Sequence, residues 1–159
     1  MPAPPDFLLI HLLSLIPPHG GLALDAGCGS GRNIPSLEGA GYRVVALDQA
    51  SGGSVRADIC QLPYPPSVFD LVVCDSVLDA SSDPTDCAVS ELKRVAKPGG
   101  HLLIVVAAAE GSDPGITFTK DTVLGWVADL MVVELLYVRV DHPPAVGVRA
   151  QWALLARRW

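Results

Sequence analysis

The residues best suited to chemistry gather around Asp25-Ala26-Gly27-Cys28-Gly29-Ser30-Gly31, where an acid leads glycines that recur at every second position. Glycine lets the backbone turn tightly and come within contact of a ligand where a Cβ would collide. The apolar residues 22–26 ahead of it read as a buried strand, so the run is a strand-to-loop turn suited to a nucleotide. Seventeen residues after Gly31, a second apolar run, 42–47, ends in Asp48. A carboxylate at that strand end offers two acceptor oxygens to the two hydroxyls of a ribose.

Two cofactor classes suit such a turn. Dinucleotide loops run G-x-G-x-x-G, with the pyrophosphate on a helix N-terminus. Here the order is D-x-G-x-G-x-G, which resembles the first motif of class I S-adenosylmethionine (SAM) methyltransferases. The likeness continues downstream. Asp58-Ile59-Cys60-Gln61-Leu62-Pro63-Tyr64 with Ser67-Val68-Phe69-Asp70-Leu71-Val72-Val73, and Glu91-Leu92-Lys93-Arg94-Val95-Ala96-Lys97-Pro98-Gly99-Gly100, are similar to later motifs of that family, in the same order. Gly29-Ser30-Gly31-Arg32-Asn33 followed by Gly41-Tyr42-Arg43-Val44 is also similar to its tellurite-resistance and thiopurine branch. The resemblance spans roughly residues 20–106 and implies SAM as cofactor. It also implies cofactor-binding roles for Asp25, Gly27, Cys28, Gly29, Asp48, Gln49, Asp58, Ile59 and Cys74: Asp25 toward the loop or the methionine end, Asp48 on the ribose, Asp58 and Ile59 at the adenine.

Methyl transfer from a sulfonium needs the nucleophile held in line in a dry cleft, and a base only if the nucleophile arrives protonated. The family lines its transfer site with the segment after the fourth strand, here Cys74-Asp75-Ser76-Val77-Leu78-Asp79-Ala80. Members often carry His or an aromatic near the last two positions, and this chain does not. Asp75 and Asp79 are therefore the catalytic candidates, each with a capping or solvated role as its alternative. Glu110 and Asp113 fall in a turn-like run, His101 opens a strand, Arg32 suits a carboxylate contact or an exposed helix start, and His11 suits a partly buried helix face. Trp126, Trp152 and Trp159 sit in apolar segments as core or interface packing residues rather than a substrate cage.

Positioning these groups requires strands alternating with helices. Residues 7–16 read as a short helix stopped by Pro17-Pro18, 32–39 as the first crossover helix, with its N-terminus facing the cofactor, and 70–75 as the fourth strand. A helix capped by Asp83, with Pro84 in its first position, runs to about Ala96, and Lys97-Pro98-Gly99-Gly100 turns into a strand over 101–107. A helix over 119–129 and strands over 131–140 and 148–157, joined by a Pro-Pro loop, complete the chain. Only nine residues separate Asp48 from Asp58, too few for a parallel crossover with a helix. The expectation is a Rossmann-like α/β sheet, mainly parallel with a C-terminal antiparallel hairpin, lacking the second crossover helix and keeping a vestigial third strand, so that the adenine side is less covered than usual.

At 159 residues this is one domain, 1–159, with residues 1–19 as an N-terminal helix and linker. A net charge of −6 disfavours a phosphate-tracking surface, so nucleic acid is an unfavoured partner and a small-molecule methyl acceptor the favoured one. Cys28, Cys60, Cys74 and Cys87 lack metal spacing and read as reduced thiols of a cytoplasmic protein, with no metal expected. The start lacks a basic leader, and the apolar run 102–109 is too short for a membrane span. Rival readings are a methyltransferase-fold partner subunit with little catalysis, methylation of protein or RNA, and a nicotinamide oxidoreductase. A homodimer through the apolar C-terminal strands is a further expectation.

Overall fold

The computed structural model describes residues 7–50, 53–79, 85–109, 117–141 and 148–159. Seven strands form one sheet in the order β3-β2-β1-β4-β5-β7-β6. They are β1 (Gly21–Ala26), β2 (Tyr42–Asp48), β3 (Val55–Arg56), β4 (Phe69–Asp75), β5 (Ala96–Ala107), β6 (Met131–Asp141) and β7 (Val148–Arg157). The first five run parallel, and β7 pairs antiparallel with both β5 and β6. Chain order thus reverses between β1 and β4, which places the ligand crevice of an open α/β sheet at their C-terminal ends.

Helices cover both faces. Helix α1 (Phe7–Ser14) buries Leu8, Leu9, Leu12 and Leu13, and α2 (Ile34–Gly39) buries Leu37, against Ala23, Leu71, Val73 and Leu103 of the sheet. Helix α3 (Thr85–Val95) packs Ala88, Val89, Leu92 and Val95, and α4 (Lys120–Trp126) packs Val123 and Trp126, on the other face against Leu24, Val72, Cys74 and Ile104. Central strands buried on both sides read as unbroken apolar runs for this reason.

The third strand is two residues long, and the described residues between it and β2 contain no helix. The hairpin strands β6 and β7 match the expected ranges to within one residue. Four expectations need correction. Strand β5 begins at Ala96, earlier than expected; residues 97–100 bulge out of its pairing with β4, which steps from Phe69–Ala96 to Leu71–His101, and turn at Gly99 with φ +79°. Trp159 is 76% exposed and packs no core, unlike Trp126 and Trp152. Helix α2 is six residues long and begins at Ile34, two residues later than expected. Cys60 and Cys87 are not reduced but joined in a disulfide, since folding brings the segment after β3 against α3 with a Cα–Cα separation of 5.2 Å; Cys28 and Cys74 are free and buried. Asp83, Pro84, Glu110, Asp113 and the Pro-Pro loop lie outside the described residues.

Candidate functional site

Asp25, near the C-terminal end of β1, and Asp48, at that of β2, flank the glycine loop. Gly27 and Gly29 hold φ of +78° and +52°, the left-handed region that side chains avoid. They differ in what they face. A Cβ on Gly27 would stand 2.3 Å from Val77 Cγ2, so the loop is pressed onto the segment after β4, whereas a Cβ on Gly29 would meet nothing within 4 Å. The loop is thus packed behind and open in front. The N–H groups of Gly27 and Cys28 donate to Leu47 O at 2.7 and 3.0 Å, and Gly29 N–H donates to Asp48 Oδ2 at 2.8 Å, tying loop and second strand together.

Asp48 Oδ1 accepts from Ala50 N–H at 2.8 Å. These backbone donors hold its carboxyl below the usual carboxylate range, so it is an anion with lone pairs still free on each oxygen. Asp25 is the opposite case. It is 1% exposed, its Oδ2 has no partner among the described residues, and burial followed by the neighbouring Asp75 charge raises its pKa from 3.8 to about 6. A buried acceptor without a donor is costly in isolation and suits a site completed by a donor-bearing ligand.

Asp75, at the end of β4, is 7% exposed and already engaged. Its Oδ2 accepts from Arg32 Nη2 at 2.8 Å and Asn33 Nδ2 at 2.9 Å, and its Oδ1 from Ser76 Oγ at 2.8 Å. These three bonds tie the end of β4 to the start of α2. Asn33 is buried, and although it holds the position before α2 its side chain caps nothing; its Oδ1 is a second unpartnered buried acceptor. Ser76 carries φ +58°, an uncommon conformation for a non-glycine residue, directly after the strand. Asp79 is half-buried, and its carbonyl accepts from Thr85 Oγ1 at 3.4 Å.

Beyond β3, Asp58 Oδ1 accepts from Cys60 N–H at 2.8 Å, and Ile59 is half-buried against the larger core. Gln49 is exposed, with its carbonyl taking Arg56 Nε at 3.1 Å. Cys28 is buried with its thiol pKa raised by burial. Cys74 is fully buried within the core against α3 and α4. Folding therefore gathers Asp25, Gly27, Gly29, Asp48 and Asp75 at one edge, and adds Asn33 and Ser76, which residue types alone did not single out. The Gly-Arg-Asn run was the available signal for Asn33. A separate groove of about 490 Å³, lined by Ile10, Leu13, Ile16, Ser36 and Tyr42, lies at the opposite end of α2 and β2.

The donor set fits SAM: a carboxylate with free lone pairs for hydroxyls at Asp48, unpartnered buried acceptors at Asp25 and Asn33 for an ammonium, and open space before Gly29. Comparison with known proteins agrees. The chain is 36% identical over 117 residues to the tRNA (carboxymethyluridine(34)-5-O)-methyltransferase of Arabidopsis thaliana, covering 67% of this chain and 29% of that protein. It is 36% identical over 98 residues to the malonyl-[acyl-carrier protein] O-methyltransferase of Serratia marcescens, covering 54% and 38%. The chain thus spans less than half the length of these relatives. The 1,6-didemethyltoxoflavin-N1-methyltransferase of Burkholderia thailandensis, solved with S-adenosylhomocysteine (SAH), shares the fold at a TM-score of 0.72 and 20% identity, over 96% of this chain and 79% of that one. A family model described as a methyltransferase domain matches residues 24–104, just over half of the sequence, and the chain belongs to that family of SAM-dependent, class I methyltransferases.

Proposed function

We propose that this domain binds SAM at the C-terminal ends of β1, β2 and β4 and transfers its methyl group to a small-molecule acceptor. The observation that carries this reading is the pairing of a glycine loop open in front of Gly29 with the Asp48 carboxylate bonded to that same loop. Asp48 holds the ribose hydroxyls. Asp25 and Asn33 supply acceptors at the methionine end, and Asp58 with Ile59 borders the adenine. SAM, when bound, supplies an electrophilic methyl group on a sulfonium. The chain's part is positioning and exclusion of water, which can provide most of the acceleration of an in-line displacement. Asp75 is a positioning residue held by Arg32, Asn33 and Ser76, which leaves Asp79 as the acid facing the acceptor side.

No helix among the described residues is long and apolar enough to cross a membrane. A homodimer through β6 is supported by that strand's place at the sheet edge and by its exposed Val132, Val133 and Tyr137. An RNA acceptor is the second reading, favoured by the tRNA-modifying relative. Calorimetric titration with SAM, SAH and NAD in parallel tests the cofactor assignment. Micromolar binding of the first two is expected, and binding of NAD alone overturns it.

A further inference from the structure

We propose that the Cys60–Cys87 disulfide is a reversible strap that sets the affinity of the cofactor site by holding its adenine side against α3. This rests on the reading of Asp58 and Ile59 as adenine contacts. With β3 reduced to two residues and no crossover helix in the described connection, the sheet holds residues 57–64 at their ends, where Ala57 N–H donates to Asp48 O at 3.2 Å and Tyr64 packs on Phe69 of β4. Further polar links come from α3. Arg94 donates to Leu62 O at 3.2 Å and Tyr64 O at 2.8 Å, and Glu91, itself paired with Arg94 at 2.6 Å, accepts Leu62 N–H at 2.9 Å. That ionic clamp holds the far end of the segment. The near end is held by the sulfur bridge to Cys87, one turn before Glu91 and on the same stripe of the helix. Cys60 N–H also donates to Asp58 Oδ1, and Gln61 N–H to Asp58 O at 3.0 Å, so moving Cys60 moves the carboxylate.

The four cysteines divide by access. Cys28 and Cys74 are buried, with thiol pKa values raised by burial, and make poor exchange partners. Cys87 is exposed and Cys60 half-buried, so their bond is open to a small thiol. In reduction, one thiolate of a small dithiol attacks a sulfur of the bridge and breaks the S–S bond. Its second thiolate then closes on the mixed disulfide, leaving Cys60 and Cys87 protonated and the dithiol oxidised; a small disulfide such as oxidised glutathione reverses the exchange.

The test is titration of the folded protein with SAH in its oxidised form and after reduction by dithiothreitol, the bond state being read by thiol counting. The reduced form is expected to bind roughly three- to tenfold more weakly, as an ordered contact segment becomes one that binding must order. A Cys60→Ser/Cys87→Ser variant should match the reduced form and ignore the reductant, and oxidised glutathione should restore the wild type. Equal affinity of the two forms, or a bond that dithiothreitol leaves intact in the folded protein, overturns the strap alone. Binding in neither form overturns the cofactor-site reading and the strap with it.

Discussion

The two sides of the site are built by opposite means. Around Asp25 everything is inside: the acid is 1% exposed, Gly27 is pressed against Val77, and Asp75 is held by Arg32, Asn33 and Ser76. From Asp48 to Tyr64 the carboxylates are open to solvent or nearly so, the strand is two residues long, and order is imported from α3 through Arg94, Glu91 and a disulfide. The first side is preorganised by packing and carries a buried, incompletely satisfied acid as its cost in stability. The second is preorganised by tethers and carries little such cost. Strain is tolerable where a core surrounds it, while a thinly covered edge needs discrete links.

Substitutions can break this contrast, and the largest effect belongs to the packed side. Gly27→Ala places a Cβ on Val77 and forces a side chain into φ +78°, so a loss of about 3–5 kcal/mol in chemical denaturation is expected; a loss under about 1 kcal/mol would mean that the loop yields. On the open side, Asp48→Ala removes charged acceptors without opening the core. SAM affinity should fall by roughly 100-fold or more with the far-ultraviolet circular dichroism unchanged; retained affinity would undo the ribose assignment.

The smallest effect sharpens the comparison by its sign. Because the folded pKa of Asp25 stands near 6, above its ordinary 3.8, the folded state binds the proton more tightly than the unfolded one. Stability therefore falls as pH rises from about 4 to about 6, and the charged acid costs roughly 2–3 kcal/mol at neutral pH. Asp25→Asn should raise the melting temperature at pH 7 and lose that advantage near pH 4, while weakening SAM binding. A pH-independent difference between the two proteins would show that burial of the charge is not the cause.

Much of this was legible beforehand because it is written locally. Alternating glycines after an apolar strand announce a loop that must take positive φ, and the apolar runs at Leu22, Val44, Leu71 and Leu102 announce buried parallel strands. The nine residues between Asp48 and Asp58 exclude a crossover helix by length. Contacts between distant segments were not legible. Asn33 reaches Asp75 across 42 positions and Cys60 meets Cys87 across 27, and no local pattern encodes either meeting. Asp75 illustrates the gap: its place at a strand end was legible, while the bonds it accepts from Arg32 and Asn33 were not.

By itself the sequence determined the elements, their order, the cofactor class and the acid-led loop, since these follow from periodicity, backbone freedom and chain length. Only the tertiary structure decided which acid holds its proton more tightly, which is engaged and which cysteines pair. Those outcomes depend on desolvation and on distances of a few ångströms between residues far apart in the chain, and such distances exist only once the sheet has closed between its helices.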